Sequence, residues 1–181
     1  MEGRGLKILV HVCCAPCFLA VERHLEGTRL RPVLYFHNPN IHPYREYERR
    51  LRALREYAET RGLPLEVGGY AYVDFLRRAL VDPRRPARCR VCYQMRLQAA
   101  SCQAVSAGAE YFTSTLLASP YQDHEMVRRL GEETARQSGT AWYYADFRQH
   151  WSWAQGRARQ LGMYRQGYCG CIFSEEERYA R

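Results

Sequence analysis

The chain alternates short apolar runs with longer stretches in which apolar residues recur at helical spacing. The apolar runs predict strands at residues 6–12, 32–37, 63–68, 110–115 and 142–147. The amphipathic stretches predict helices at residues 16–26, 43–61, 71–80, 89–107, 121–138 and about 151–161. Strands separated by helix-length segments are typical of βαβ units. We therefore expect an α/β fold with a mainly parallel sheet and helices on both of its faces.

The chain shows no internal repeat and no low-complexity linker, so we expect a single domain over residues 1–181. Its core is predicted to span about 6–174. The stretch after about residue 175, "EEERYAR", has no apolar face and predicts a short disordered C-terminal tail.

Polar residues follow the predicted strands, at the sheet edge where open parallel sheets bind their ligands. We take Asp146 as a candidate catalytic carboxyl. The candidates for substrate binding at this edge are Asn38, Asn40, Ser114, Thr115 and Ser119. His11 lies within the first predicted strand and is interpreted as a buried, hydrogen-bonded histidine. The turn after that strand contains thiols and no glycine, which argues against a glycine-rich phosphate loop there.

Three closely spaced cysteine motifs stand out, "CCAPC" at 13–17, "CRVC" at 89–92 and "CGC" at 169–171. Cys89 and Cys92 are three residues apart at the start of a predicted helix, so they share a face near its thiolate-favouring amino terminus. Together with Cys13 and Cys14 they would supply four thiolates, which suit either tetrahedral zinc or an iron–sulfur cluster. Cys17 could be a further ligand or could pack against the sheet.

The "CGC" motif indicates different chemistry. Cys169 and Cys171 can close only a small, strained disulfide ring, and strained disulfides belong to the labile, catalytic class. We therefore interpret them as a redox-active pair, with further metal ligands or inert thiols as the alternatives. Cys102 is thirteen residues beyond Cys89, so it should face away from the motif, and we interpret it as a buried apolar thiol.

Composition and charge indicate the cellular compartment of the protein and the class of partner that it binds. Eight cysteines in 181 residues could form a disulfide framework, but the start of the chain is not a secretory signal. We expect a cytoplasmic protein with no membrane segment. The net charge is +8, which fits either a solvated helix face or a nucleic-acid surface, and Arg88 and Arg90 are candidates for RNA contact.

Five segments together resemble the epoxyqueuosine reductase QueH family, over about residues 7–174. They are "LVHVCCAPC", "FHNPNIHPYREYERRL", "RCRVCYQMRL", "YFTSTLLASPYQDHE" and "GMYRQGYCGCIFS". The resemblance implies a HUP-like (nucleotide α-hydrolase-like) fold. It also implies cobalamin-independent reduction of epoxyqueuosine to queuosine at the wobble position of tRNA.

The resemblance further implies cofactors and partners. Cys13, Cys14, Cys89 and Cys92 would hold a 4Fe–4S cluster, and Cys169 and Cys171 would be the redox-active pair. An additional mononuclear iron is implied next to the cluster, with Cys17 as a candidate ligand. The implied partners are the anticodon stem-loop of a tRNA and an external electron donor.

Two other functions fit parts of the pattern. A thiolase-like tRNA-modifying enzyme would share the fold, but "HVCCAPC" occupies the position of its ATP-binding loop. A zinc-stabilised tRNA-binding module would use the same thiols without redox chemistry.

Overall fold

Five strands lie side by side in the computed structural model, which describes residues 5–180. They are β1 (Leu6–His11), β2 (Leu30–Phe36), β3 (Leu65–Val67), β4 (Tyr111–Ser114) and β5 (Ala141–Trp142). Every pairing is parallel, and the order across the sheet is β3-β2-β1-β4-β5. The central strand β1 is buried on both faces at Ile8, Leu9 and Val10, which explains the apolar run there. The predicted α/β fold with a parallel, HUP-like sheet is confirmed.

Seven helices flank this sheet. They are α1 (Ala15–Leu25), α2 (Tyr44–Arg61), α3 (Tyr72–Ala79), α4 (Ala87–Ser106), α5 (His124–Ser138), α6 (Trp151–Gln160) and α7 (Ile172–Tyr179). Helix α1 packs against α2 and α6, whereas α4 packs against α3 and α5. All six predicted helices are present, with ends that differ by a few residues. No helix within residues 5–180 is long and apolar enough to cross a membrane.

Two expectations about individual segments are wrong. The predicted disordered tail is instead helix α7. Its Glu177 pairs with Arg88, and its Ser174 amide donates a hydrogen bond to the Cys171 carbonyl at 2.9 Å. Arg88 lies 89 residues earlier in the chain, so local composition did not reveal its pairing with Glu177. Cys102 does face away from the other thiols, but it faces solvent and is exposed.

The strand order determines where a ligand site can form. The chain runs outward from β1 to β3 on one side and then crosses to β4 and β5 on the other. β1 and β4 are neighbouring strands. Because the strand order reverses direction between them, the loops that follow these two strands separate from each other. Such a switch point is where open α/β sheets bind their ligands.

Candidate active site

A cavity of about 650 Å³ opens beside the switch point. Its lining includes Cys13 and Cys17 from the segment after β1, and Ser119 from the segment after β4. Cys169 lines the same cavity, although it is far away in sequence. The motifs "CCAPC" and "CGC" therefore meet at one place.

Cys13, Cys14 and Cys17 form one sulfur group, in which the Sγ atoms all lie within 4.8 Å of one another. Strand β1 ends at His11, so Cys13 and Cys14 lie beyond it. Their side chains therefore need not point to opposite faces of the sheet, as adjacent side chains within a strand do. Cys14 is the N-cap of α1, and Cys17 follows in the first turn of that helix. The structure therefore places Cys17 beside the two other thiols. The sequence alone did not decide whether Cys17 lies at this site or packs against the sheet.

Hydrogen bonds favour a negative charge on one member of this group. Bonds from the Cys14 thiol, and then from the Cys17 thiol, hold the pKa of Cys13 well below its ordinary value. The Thr115 hydroxyl adds a bond to Cys13 Sγ at 3.2 Å. Burial raises the pKa of Cys14 to about 12, and Gln166 donates an amide N–H to its Sγ at 3.0 Å. Cys13 is therefore the thiolate that this environment stabilises most.

Cys89 and Cys92 form a second group on the first turns of α4. Burial raises the pKa of Cys92 to about 11, and the nearby Cys169 contributes to this rise. Arg96 lies one turn further along and places its Nη1 atom 3.5 Å from Cys92 Sγ. Both Cys13 and Cys92 are close enough to Arg96 to affect its pKa, so this side chain connects the two sulfur groups.

The "CGC" segment is held by the buried side chain of Arg50. That guanidinium donates to the carbonyls of Tyr168 and Cys169, both at 3.0 Å, and pairs with Glu46 at 2.7 Å. Cys169 and Cys171 are both free thiols. A hydrogen bond between them lowers the pKa of Cys169 well below its ordinary value and raises that of Cys171. This is the arrangement of a reactive thiolate beside a thiol partner.

The predicted polar residues take different positions around the cavity. Thr115 contacts Cys13, and Ser119 lines the cavity. Ser114 bonds to the ring of His11 at 2.9 Å, so that histidine is buried and hydrogen-bonded as predicted. Asn38 donates to the Val12 carbonyl at 2.9 Å. Asn40 is buried and, with Asn38 and Ser114, lies outside the cavity lining, so substrate binding by these three stays a prediction.

Three other candidates lie away from the cavity wall. Asp146 caps the turn that follows it and pairs with Arg148 at 2.6 Å, and the hydrogen bond from Arg148 lowers its pKa to about 2. Arg88 is buried against Glu177, whereas Arg90 is exposed. Direct catalysis by Asp146 and RNA contact by Arg88 or Arg90 remain untested predictions.

Sequence reasoning missed three residues that the structure brings to the thiols, namely Arg50, Arg96 and Gln166. The spacing of Arg96 could have indicated its position, because it lies four residues after Cys92 and so shares its helix face. No sequence pattern indicated the positions of Arg50 and Gln166, because their approach to the thiols depends on how distant segments pack together.

Comparisons with known proteins agree with this geometry. The family model described as "Epoxyqueuosine reductase QueH" matches residues 8–177. An epoxyqueuosine reductase QueH from Dehalococcoides mccartyi is 35% identical, covering 97% of this chain and 96% of the relative. One from Thermotoga maritima is 33% identical, covering 94% and 91% respectively. The matched region contains all three cysteine motifs, and the chain belongs to the epoxyqueuosine reductase QueH family.

Proposed function

We propose that this protein reduces epoxyqueuosine to queuosine in tRNA. The observation that carries the proposal is that Cys169, one member of the Cys169–Cys171 pair, lines the same cavity as Cys13 and Cys17 in a QueH-family chain. The family name indicates the substrate. The cavity supports the proposal because thiols line it and because it is large enough for a nucleobase.

The donor set fits the 4Fe–4S cluster that the family resemblance implies. Cys13, Cys14, Cys89 and Cys92 would hold it, and Cys17 lies close enough to Cys13 and Cys14 to ligate an adjacent iron. All these donors are thiols, and buried guanidinium groups beside them match an anionic sulfur-ligated group. When bound, such a group supplies electrons and a Lewis-acidic position for an oxygen.

Cys169 and Cys171 can supply the two electrons that the reaction needs. Removing an epoxide oxygen to leave an alkene takes two electrons and two protons, and the oxygen departs as water. Oxidation of two thiols to one disulfide releases two electrons and two protons, so the exchange balances. An external reductant then restores the dithiol. The lowered pKa of Cys169 makes it the thiol that is deprotonated first.

The cavity mouth has the side chains that an extruded base requires. Tyr121 is 75% exposed at the mouth and meets Trp151 edge-to-face, with ring centroids 6.2 Å apart. Aromatic faces of this kind stack on unpaired bases, and the flipped base would then reach the thiols. Arginines on the rim would contact the phosphates on either side. They are Arg85, Arg165 and Arg178.

Anaerobic purification followed by iron, sulfide and zinc analysis tests the cofactor. We expect about four irons and four sulfides per cluster, brown protein, and conversion of epoxyqueuosine tRNA without added cobalamin or ATP. Colourless protein with one zinc and no conversion would support the zinc-stabilised tRNA-binding module instead. Turnover that consumes ATP would support a thiolase-like reaction.

The dithiol role predicts the behaviour of three serine variants. Cys169→Ser and Cys171→Ser should each lose multiple turnover to the background rate, because neither can form the disulfide. Cys102→Ser removes an exposed thiol on the solvent side of α4 and should turn over like the wild type. Product formation per enzyme, measured with a chemical reductant present, separates these outcomes. Unchanged turnover in the double variant of Cys169 and Cys171 would contradict the role.

A further inference from the structure

Arg96 is a buried arginine surrounded by sulfur. Its side chain is 3% exposed, it lines the thiol cavity, and its Nη1 is 3.5 Å from Cys92 Sγ. On its other side, Nε donates to Nε2 of the buried His11 ring at 3.4 Å. The guanidinium is therefore a buried positive charge next to an imidazole ring and cysteine thiols.

The other buried arginines have carboxylate partners. Arg50 pairs with Glu46 at 2.7 Å, and Arg88 pairs with Glu177. Among residues 5–180 no carboxylate forms an ion pair with Arg96. A buried charge without a counter-charge is unfavourable by several kcal/mol, and such a position persists only if the site itself carries negative charge. Thiols that can carry such a charge lie nearby: Cys92 Sγ is 3.5 Å from Arg96 Nη1, and the thiols of Cys13 and Cys169 also act on the guanidinium.

We propose that Arg96 is the fixed counter-charge of the sulfur-ligated group in this cavity and raises its reduction potential. Four thiolates around a metal group leave a net negative charge, and each added electron increases it. A buried cation a few ångströms away stabilises the more negative, reduced form because low polarity strengthens the attraction. The inference rests on the cofactor part of the proposed function. It makes Arg96 a positioning residue that acts through the thiolates.

Arg96→Gln tests the charge, and Arg96→Lys tests whether charge alone suffices. Arg90→Gln is the matched control, since Arg90 lies on the same helix and is exposed. Each anaerobically prepared protein is titrated by spectroelectrochemistry. At the wild-type midpoint we expect Arg96→Gln to show a reduced-to-oxidised ratio about tenfold lower, which is about 59 mV for one electron. Arg96→Lys and Arg90→Gln should stay within about twofold of the wild type.

A metal-binding measurement covers the case in which Arg96→Gln assembles no iron. The reduced, metal-free proteins are titrated with Co²⁺, and the sulfur-to-cobalt absorption band is followed. Without the counter-charge, half-saturation should need about tenfold more cobalt, while Arg96→Lys and Arg90→Gln should match the wild type.

The outcomes separate this inference from the proposed function. Equal midpoints and equal cobalt affinities in Arg96→Gln would overturn the counter-charge role, as would an Arg96→Lys midpoint displaced as far as that of Arg96→Gln. A drop in turnover alone, with the potential unchanged, would assign Arg96 to the substrate and would also overturn it. Absence of iron and sulfide from the wild type contradicts the proposed cofactor instead, and the cobalt titration still decides the role of Arg96.

Discussion

At the scale of single residues, Gly170 determines how Cys169 and Cys171 are placed relative to each other. Its φ of 128° lies in a region that side chains rarely adopt, and its position between two cysteines lets both thiols meet. A Cβ at this position would lie 3.1 Å from Arg50 Nη1 and 3.1 Å from Ile41 Cγ1. The same backbone segment accepts the hydrogen bonds of Arg50. A side chain at position 170 would therefore strain the backbone and also crowd Arg50 and Ile41 beside the thiols.

We expect Gly170→Ala to lower the free energy of unfolding by about 1–3 kcal/mol and to reduce turnover of the redox pair. Gly69→Ala is the control, because its added Cβ meets no atom within 4 Å and its φ is outside the left-handed region. The control should stay within about 0.5 kcal/mol of the wild type. Urea unfolding measures both. Equal stability of the two variants would mean that the loop relaxes around the new side chain.

At the scale of elements, helix α7 secures the two thiol-bearing segments to each other. It begins directly after Cys171, and its Glu177 pairs with the buried Arg88 at the start of α4. Arg88 is adjacent to Cys89, so this one ion pair joins the "CGC" segment to the "CRVC" helix. The Glu177 side chain is 46% exposed, and solvent screening weakens its contribution.

Glu177→Gln removes the charge that the buried Arg88 needs. We expect a loss of about 1–2 kcal/mol in the free energy of unfolding, together with faster proteolysis within residues 172–180. Glu176→Gln makes the same chemical change at an exposed neighbouring position and should be close to neutral. If both variants unfold at the same urea concentration, the ion pair does not hold α7 in place.

At the scale of the whole molecule, part of the excess positive charge lies at the cavity that contains Cys13 and Cys169. Arg165 and Arg178 are exposed and line the mouth through which a base would reach Cys13 and Cys169. Arg29 is equally exposed but precedes β2, so it lies at the opposite edge of the sheet. Charge at the rim can hold phosphates next to the reactive thiols, whereas charge at the far edge cannot.

The salt dependence of tRNA binding tests this difference. Arg165→Gln and Arg178→Gln should weaken binding more at low salt. Each should lower the slope of log affinity against log salt by about 0.7–0.9. Arg29→Gln should leave that slope unchanged. Binding isotherms at several salt concentrations provide the slopes, and an equal effect of all three variants would indicate only a general charge effect.

Local patterns in the sequence were sufficient for the architecture. Apolar runs and helical periodicity predicted four of the five strands and six of the seven α-helices within residues 5–180, because both depend on neighbours within a few residues. The fifth predicted strand, residues 142–147, overlaps β5 (Ala141–Trp142) at one position only. The same locality limited the prediction of α7, whose stability depends on Arg88, about ninety residues away. The sequence also identified the three cysteine motifs and suggested different chemistry for Cys169 and Cys171.

What the sequence by itself determined is therefore the fold class, the family and the three cysteine motifs as the candidate site. Only the tertiary structure decided which groups surround each thiol. It placed Cys17 with Cys13 and Cys14, and it buried Arg96 beside Cys92 with no carboxylate ion pair from residues 5–180. The physical reason is that charge balance in a buried cavity depends on groups from several elements, and the order of the strands brings those groups together.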